Sequence, residues 1–387
     1  MQDRPGRILT THTGSLPRPD ELVALYAARA AGEPVDESRL TEMADKATHA
    51  AIAAQLEAGI DIGNDGEQDR EGFFLYIQHR MSGFGGGWKR YPRQDFERYP
   101  LYKARFEADA AARSAVTNFQ PPVALGPVEY LDAGLIQAEC RGFGEKLAQA
   151  PGHFEQAFMT APSPGIVASA MANRYYEDDA EYLAALTRGL RIEYQAIVEH
   201  GFLLQLDCPD LALERHLSYQ DRPLHEFLAF VERVVAALNE ALDGIPREQV
   251  RLHVCWGNYE GPHDCDVPLE EILPRLLEAN VGGLVLPFAN PRHQHEFKLL
   301  GQHPLADEQV LVAGVIDPLS AFVEHPEVVA DRLERIANVH GDPSRLMAGT
   351  DCGFDTSAGM GRITADVVWA KLRSLREGAE LASRRLF

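Results

Sequence analysis

The chemistry of this chain gathers on Leu252-His253-Val254-Cys255-Trp256-Gly257-Asn258. The run reads as a short buried strand closed by a Gly-Asn turn. Alternate side chains of a strand point to opposite faces, so His253 and Cys255 face one way and Val254 the other. An imidazole and a thiolate converging at the C-terminal end of a strand are half of a zinc site. Gly349-Thr350-Asp351-Cys352-Gly353 has the same character and offers a third ligand, Cys352. One nitrogen and two sulfurs suit zinc better than a hard cation. Three protein ligands leave one position open, as catalytic sites do, and a substrate thiol bound there is held as thiolate near neutral pH. The thiolate is then a nucleophile for an electrophilic carbon. Taken singly, each cysteine is better explained as a small core residue. Their joint placement at strand ends, with His253 two residues from Cys255, is what favours a metal.

Other strand ends add polar groups. Ile60-Asp61-Ile62-Gly63-Asn64-Asp65-Gly66-Glu67 and Gln205-Leu206-Asp207-Cys208-Pro209 place Glu67 and Asp207 where they could bind the amino group of an amino-acid thiol. In Thr11-His12-Thr13-Gly14-Ser15, Ser15 and the amides near Gly14 could take its carboxylate, and His12 joins the substrate-binding set. The competing reading is that such acids cap the helices that follow. His263 and Cys265 repeat the H-x-C spacing in a loop and read as bystanders. Of His293 and His295, one could reach the site while the other is exposed. Cys140 lies in a helical stretch and reads as structural.

These residues need a scaffold that brings strand ends together. Apolar patterning predicts strands in 7–13 and 60–67 and near 122–129, 155–160, 202–207, 250–256, 283–288, 310–316 and 345–350. Helices are expected over 20–31, 36–59, 70–83, 132–147, 178–200, 221–243, 268–279, 326–339 and 364–383. Strands alternating with helices mean a parallel sheet with crossover helices. The expected fold is an α/β (β/α)₈ TIM barrel, whose active sites lie at the C-terminal strand ends. Nine strands for eight places put one off the barrel, and 122–129 is the choice. It follows a Gly-, Tyr-, Arg- and Pro-rich excursion at roughly 84–120 that reads either as a lid or as a disordered insertion. A doubly wound sheet would carry a glycine-rich phosphate loop, and none is present. No repeat or linker appears, so residues 1–387 read as a single domain.

Composition bounds the function. The chain has 387 residues, 45% of them hydrophobic, enough for a sizeable core. A net charge of −21 repels phosphate backbones and anionic lipid, so no nucleic-acid or membrane role is expected. The start, Met1-Gln2-Asp3-Arg4-Pro5, has no apolar signal core. Five scattered cysteines do not make a disulfide framework, so a reducing cytoplasm fits. The expected partners are a small-molecule thiol acceptor and an alkyl donor, with homo-oligomerisation left open.

Thr11-His12-Thr13-Gly14-Ser15-Leu16-Pro17-Arg18, Asp65-Gly66-Glu67, Gln205-Leu206-Asp207, His253-Val254-Cys255 and Asp351-Cys352-Gly353 follow the order found in the catalytic barrel of the cobalamin-independent methionine synthases. The chain resembles the stand-alone, single-barrel members of that group, including epoxyalkane:coenzyme M transferase-like proteins. The resemblance implies a zinc-dependent transferase that alkylates a thiol. It places His253, Cys255 and Cys352 as ligands and Ser15, Glu67 and Asp207 where the synthase holds homocysteine. Three departures stand out. Pro287 occupies the place of a ligand Glu, no His follows Asp317, and the sequence lacks the synthase's N-terminal barrel, which helps bind polyglutamylated folate. Two alternatives remain. One is a metal-free barrel enzyme resembling uroporphyrinogen decarboxylase, which would need basic strand ends where this chain has acids and thiols. The other is a non-catalytic zinc- or thiol-binding protein.

Overall fold

The computed structural model describes residues 6–111, 115–117 and 120–387. Residues 1–5, where the sequence places a polar start, lie outside the described residues. The strands in chain order are β1 (Leu9–Thr10), β2 (Ile62–Gly63), β3 (Phe84–Gly85), β4 (Val123–Ala124), β5 (Gln156–Pro162), β6 (Leu203–Asp207), β7 (Val250–His253), β8 (Gly283–Pro287), β9 (Val310–Ile316) and β10 (Leu346–Thr350). Eight of them form one parallel sheet in the order β1-β10-β9-β8-β7-β6-β5-β2. A parallel bridge between Thr11 and Ile62 joins its two edges, and the sheet closes as a barrel. The two remaining short strands, β3 and β4, pair antiparallel to each other off the barrel; β4 falls in the stretch expected there, whereas β3, at the start of the excursion, is a strand the sequence did not signal.

Inward and outward faces divide the core. Ile62, Phe158, Leu203, Val285, Val310, Val312 and Met347 fill the lower barrel interior. Val250, Leu252 and Val254 belong instead to the large cluster between strands and helices. That alternation leaves Arg251 and His253 on the inner face of β7. The helices run close to expectation: Glu37–Glu57, Ala133–Gln149, Asp179–Glu199, Leu224–Ala241, Pro326–His340 and Ala365–Leu386.

The helix expected over 70–83 is absent; only a 3₁₀ segment, Leu75–His79, forms. Its backbone is spent elsewhere. Gly72 bridges to Ser357, and Phe73 N–H donates to Thr356 O. The excursion is built rather than loose among its described residues. It carries short helices at Gln94–Arg98 and Pro100–Ala111. Phe96 and Phe106 pack with Leu213, Leu217 and Tyr259 from the loops after β6 and β7. Residues 112–114 and 118–119 of the excursion lie outside the described residues. No described helix is long and apolar enough to cross a membrane.

Candidate active site

The ends of β7 and β10 set three ligand atoms against one another. β7 stops at His253, so Cys255 lies just past the strand rather than on it. It is still held in place, because Val254 N–H bonds Val285 O of β8 at 3.2 Å. At the other wall, Asp351 N–H donates to Ile316 O, and Cys352 follows directly. The two sulfurs are 3.8 Å apart. The ligand atoms of His253, Cys255 and Cys352 all lie within 4.8 Å of one another, and all three residues are buried. No other such group exists among the described residues. One nitrogen and two sulfurs, drawn together from separate strand ends, fit the soft donor set of zinc. β8 ends in Pro287, whose side chain offers no donor atom, and no fourth His, Cys, Asp or Glu joins the trio among the described residues.

The supporting contacts orient these groups. His253 Nδ1 meets Asp207 Oδ1 at 3.0 Å, a carboxylate–imidazole pairing of the kind that orients metal-binding histidines, and Nε2 lies 3.3 Å from Asp351 O. Asp351 accepts four N–H groups, from Phe288, Ala289 and both nitrogens of Asn290. It thereby ties the loop after β8 to the residue preceding Cys352. Electrostatics prepare the sulfurs. The Cys352 S–H bond, against burial and with help from His253, pulls the Cys255 thiol well below its ordinary value. The same bond, with burial, pushes Cys352 well up. Burial opposes charge on His253, yet the Cys255 thiolate and Asp207 raise it to about 10. The protons left on this trio are those a metal would displace.

A cavity of about 100 Å³ lies above, walled by Ser15, Glu67, Asp207, His253, Cys255 and Cys352 among others. Glu67 sits there with a left-handed φ of 57°, rare outside glycine. Thr160 Oγ1 donates to its Oε1 at 2.9 Å. Its Oε2 and the Ser15 hydroxyl are buried with no hydrogen-bond partner, so both await one. Burial, then the nearby Asp207 charge, pushes Glu67 up to about 8. Gly14 makes room for this carboxylate: at φ 132°, a Cβ there would stand 2.6 Å from Glu67 Oε1. His12 does not line the cavity. Its Nε2 meets Gln55 Oε1 at 2.8 Å, and burial lowers it to about 4, so it is a neutral floor residue.

Other sequence candidates fall elsewhere. His293 is buried between Asp266 and Glu296, while His295 is exposed. His263 is bound to Asp266 and Tyr259, and Cys265 to Asp264 and Arg98, outside the ligand trio. Cys140 is buried against Met159. Sequence reasoning missed the outer lining. Arg90, Arg93 and Phe106 come from the excursion, Arg362 from the last loop, and Asn258 and Tyr259 from the loop after β7. The Tyr- and Arg-rich composition of the excursion was the available signal. A second cavity of about 960 Å³, also lined by Cys255 and Cys352, opens between the loops after β7, β8 and β9.

No family model matches the chain. It is 26% identical over 379 residues to a methionine synthase of Sulfurisphaera tokodaii, a match covering 97% of this chain and 93% of that one. Among solved structures, a B12-independent methionine synthase from Shewanella sp. in complex with selenomethionine superposes with a TM-score of 0.72 at 20% identity. That match covers 98% of this chain and 99% of that one. A putative B12-independent methionine synthase from Listeria monocytogenes gives 0.64 at 19% identity, over 98% of each chain. Over nearly its whole length the chain is similar in sequence to methionine synthases, and its barrel has the fold of B12-independent ones.

Proposed function

We propose that the chain is a zinc-dependent thiol methyl- or alkyltransferase, with residues 1–387 acting as one barrel domain. That it is a transferase follows from its homology to the methionine synthases. The carrying observation is the convergence of His253, Cys255 and Cys352 beside the unpartnered Ser15 hydroxyl and Glu67 carboxyl. Zinc held by that trio would stabilise an acceptor thiol as thiolate. Glu67 and Asp207 receive the acceptor's ammonium group, and Ser15 Oγ donates to its carboxylate. With the sulfur so fixed, its lone pair attacks the donor's alkyl carbon; the S–C bond forms as the leaving group departs with its electron pair. The small cavity suits an amino-acid thiol, and the larger one gives a bulkier donor its approach to the sulfur. The acidic cavity floor disfavours a decarboxylase reading, since Arg90 and Arg362 are already ion-paired to Glu214 and Glu260 and Arg93 lies over the Phe96 and Tyr259 rings. A reducing cytoplasm remains part of this proposal, on the scatter of the five cysteines along the sequence.

Metal analysis tests the site. About one zinc per chain is expected, lost on Cys255→Ser or Cys352→Ser. Protein purified without zinc, or zinc retained in both variants, overturns the assignment. A screen of thiol acceptors against alkyl donors tests the reaction, with zinc absorption spectroscopy expected to report an added sulfur when the acceptor binds.

A further inference from the structure

One storey below the trio, the barrel interior holds a cation that the chemistry above does not use. Arg251 lies on the same inner face of β7 as His253, two residues earlier, and is 3% exposed. Its Nη1 donates to Thr11 Oγ1 at 3.2 Å and its Nη2 to Gln205 Oε1 at 2.9 Å. The guanidinium lies 4.3 Å over the Phe158 ring. Its Nε has no hydrogen-bond partner, and no described carboxylate is within ion-pair distance. Gly283, its register partner on β8, leaves space for it: a Cβ there would meet Arg251 Cγ at 3.3 Å. Burying a guanidinium without a carboxylate is costly, and an apolar residue would fill the place at less expense. A cost of this kind tends to persist where function needs it.

The hydrogen bonds point to that need. Arginine can only donate, so Gln205 must turn Oε1 toward it. Gln205 Nε2–H then faces upward and donates to Asp207 Oδ1 at 3.2 Å and to Thr13 O. Asp207 Oδ1 in turn takes the Nδ1–H of His253. The three steps run along register neighbours, Gln205 beside Arg251 and Asp207 beside His253. We propose that Arg251 is a positioning residue for the metal centre, fixing the His253 imidazole through Gln205 and Asp207. The inference rests on His253 being a ligand, as proposed above. A polar ladder under the site gives the ring one orientation before any metal arrives.

The test compares wild type with Arg251→Met, Arg251→Lys and Gln205→Leu. Arg251→Met replaces a buried cation with an apolar chain of similar length, so its thermal midpoint should not fall. Zinc affinity, measured by chelator competition, should drop about tenfold in Arg251→Met and Gln205→Leu. The visible bands of the Co²⁺-substituted protein should shift in both, and Arg251→Lys should recover part of each effect. In metal-free protein carrying ¹⁵N-labelled histidine, the downfield Nδ1–H proton of His253 should weaken or move in both variants. Unchanged affinity, bands and Nδ1–H resonance overturn the proposal. If Arg251→Met fails to fold, Gln205→Leu, which keeps the cation, carries the test. If the wild type binds no zinc, the metal reading fails, and the Nδ1–H resonance still decides whether Arg251 positions His253.

Discussion

Glu67 is the residue whose geometry demands the most explanation. A left-handed backbone, a carboxyl oxygen with no partner and a second carboxylate nearby are each unfavourable, and strain of this kind collects at functional sites. A cationic ligand would relieve the electrostatic part. With Glu67 raised to about 8, its carboxyl is largely protonated at pH 7 and must ionise to meet an ammonium group. Binding of an aminothiol should therefore release a proton, and affinity should rise as pH increases from 7 toward 8. Calorimetry in two buffers of different ionisation enthalpy measures that proton. Glu67→Gln should abolish its release and weaken aminothiol binding about tenfold, the equivalent of about 1.4 kcal/mol, while sparing a thiol that lacks the amine. Equal weakening for both thiols would remove Glu67 from the amine site. Gly14→Ala should lower folding stability by about 2 kcal/mol in urea denaturation, because a Cβ would collide with Glu67 Oε1 and L-residues resist that φ.

At the level of elements, what the sequence revealed was whatever local pattern controls. Period-two and helical spacing located the eight barrel strands and most helices. Strand ends carry polar residues only where something other than packing acts, so His253, Cys352, Glu67 and Asp207 stood out before any fold was known. What stayed hidden depends on distant contacts. The segment 70–83 has helical spacing, yet Gly72 and Phe73 give their backbone to residues 356 and 357, which no local window contains. The role of Asp351 is equally remote, since its partners lie about sixty residues earlier. The excursion owes its order to aromatic packing on two other loops and to Asp95, which accepts from Tyr259 O–H at 2.6 Å and His263 N–H at 3.1 Å. Phe96 joins the excursion's own Phe106 to Tyr259, with ring centroids at 4.7 and 5.4 Å. Phe96→Ala should remove about 3 kcal/mol of that latch. Limited proteolysis should then nick within 84–120 while the remaining barrel stays resistant. Cleavage no faster than in wild type would show that the latch lies elsewhere.

Across the whole molecule, one buried carboxylate ties three barrel loops together. Asp266 faces His216 Nδ1 at 3.0 Å, His263 Nδ1 at 2.9 Å and His293 Nε2 at 2.7 Å, from the loops after β6, β7 and β8. Glu296 takes the other nitrogen of His293 at 2.7 Å and also accepts from Leu269 N–H, at the start of a helix. The His293 ring stacks on Trp256, the neighbour of Cys255, at 3.9 Å. Two carboxylates on one imidazole require both nitrogens to be protonated. Although burial opposes the charge, Asp266 and Glu296 raise His293 to about 9, and the histidines hold Asp266 well below the ordinary carboxylate range. The sign follows for each partner. A raised histidine contributes fully below its unfolded value of about 6.5, and that contribution fades as pH climbs through about 9. A depressed carboxylate contributes above its unfolded value of about 3.9 and loses that contribution as pH falls below it. These are the same ion pairs broken from opposite sides, so the two losses are not summed. Metal-free protein should therefore lose about 3 kcal/mol of unfolding free energy through His293 between pH 6.5 and 9.5. Urea titrations of metal-free wild type and His293→Gln across that interval isolate the effect, because every other titrating group is common to both. The variant should start less stable at pH 6.5 and converge on the wild type toward pH 9.5. Curves that stay parallel would mean that His293 is neutral throughout and that the three loops are joined by packing instead of charge.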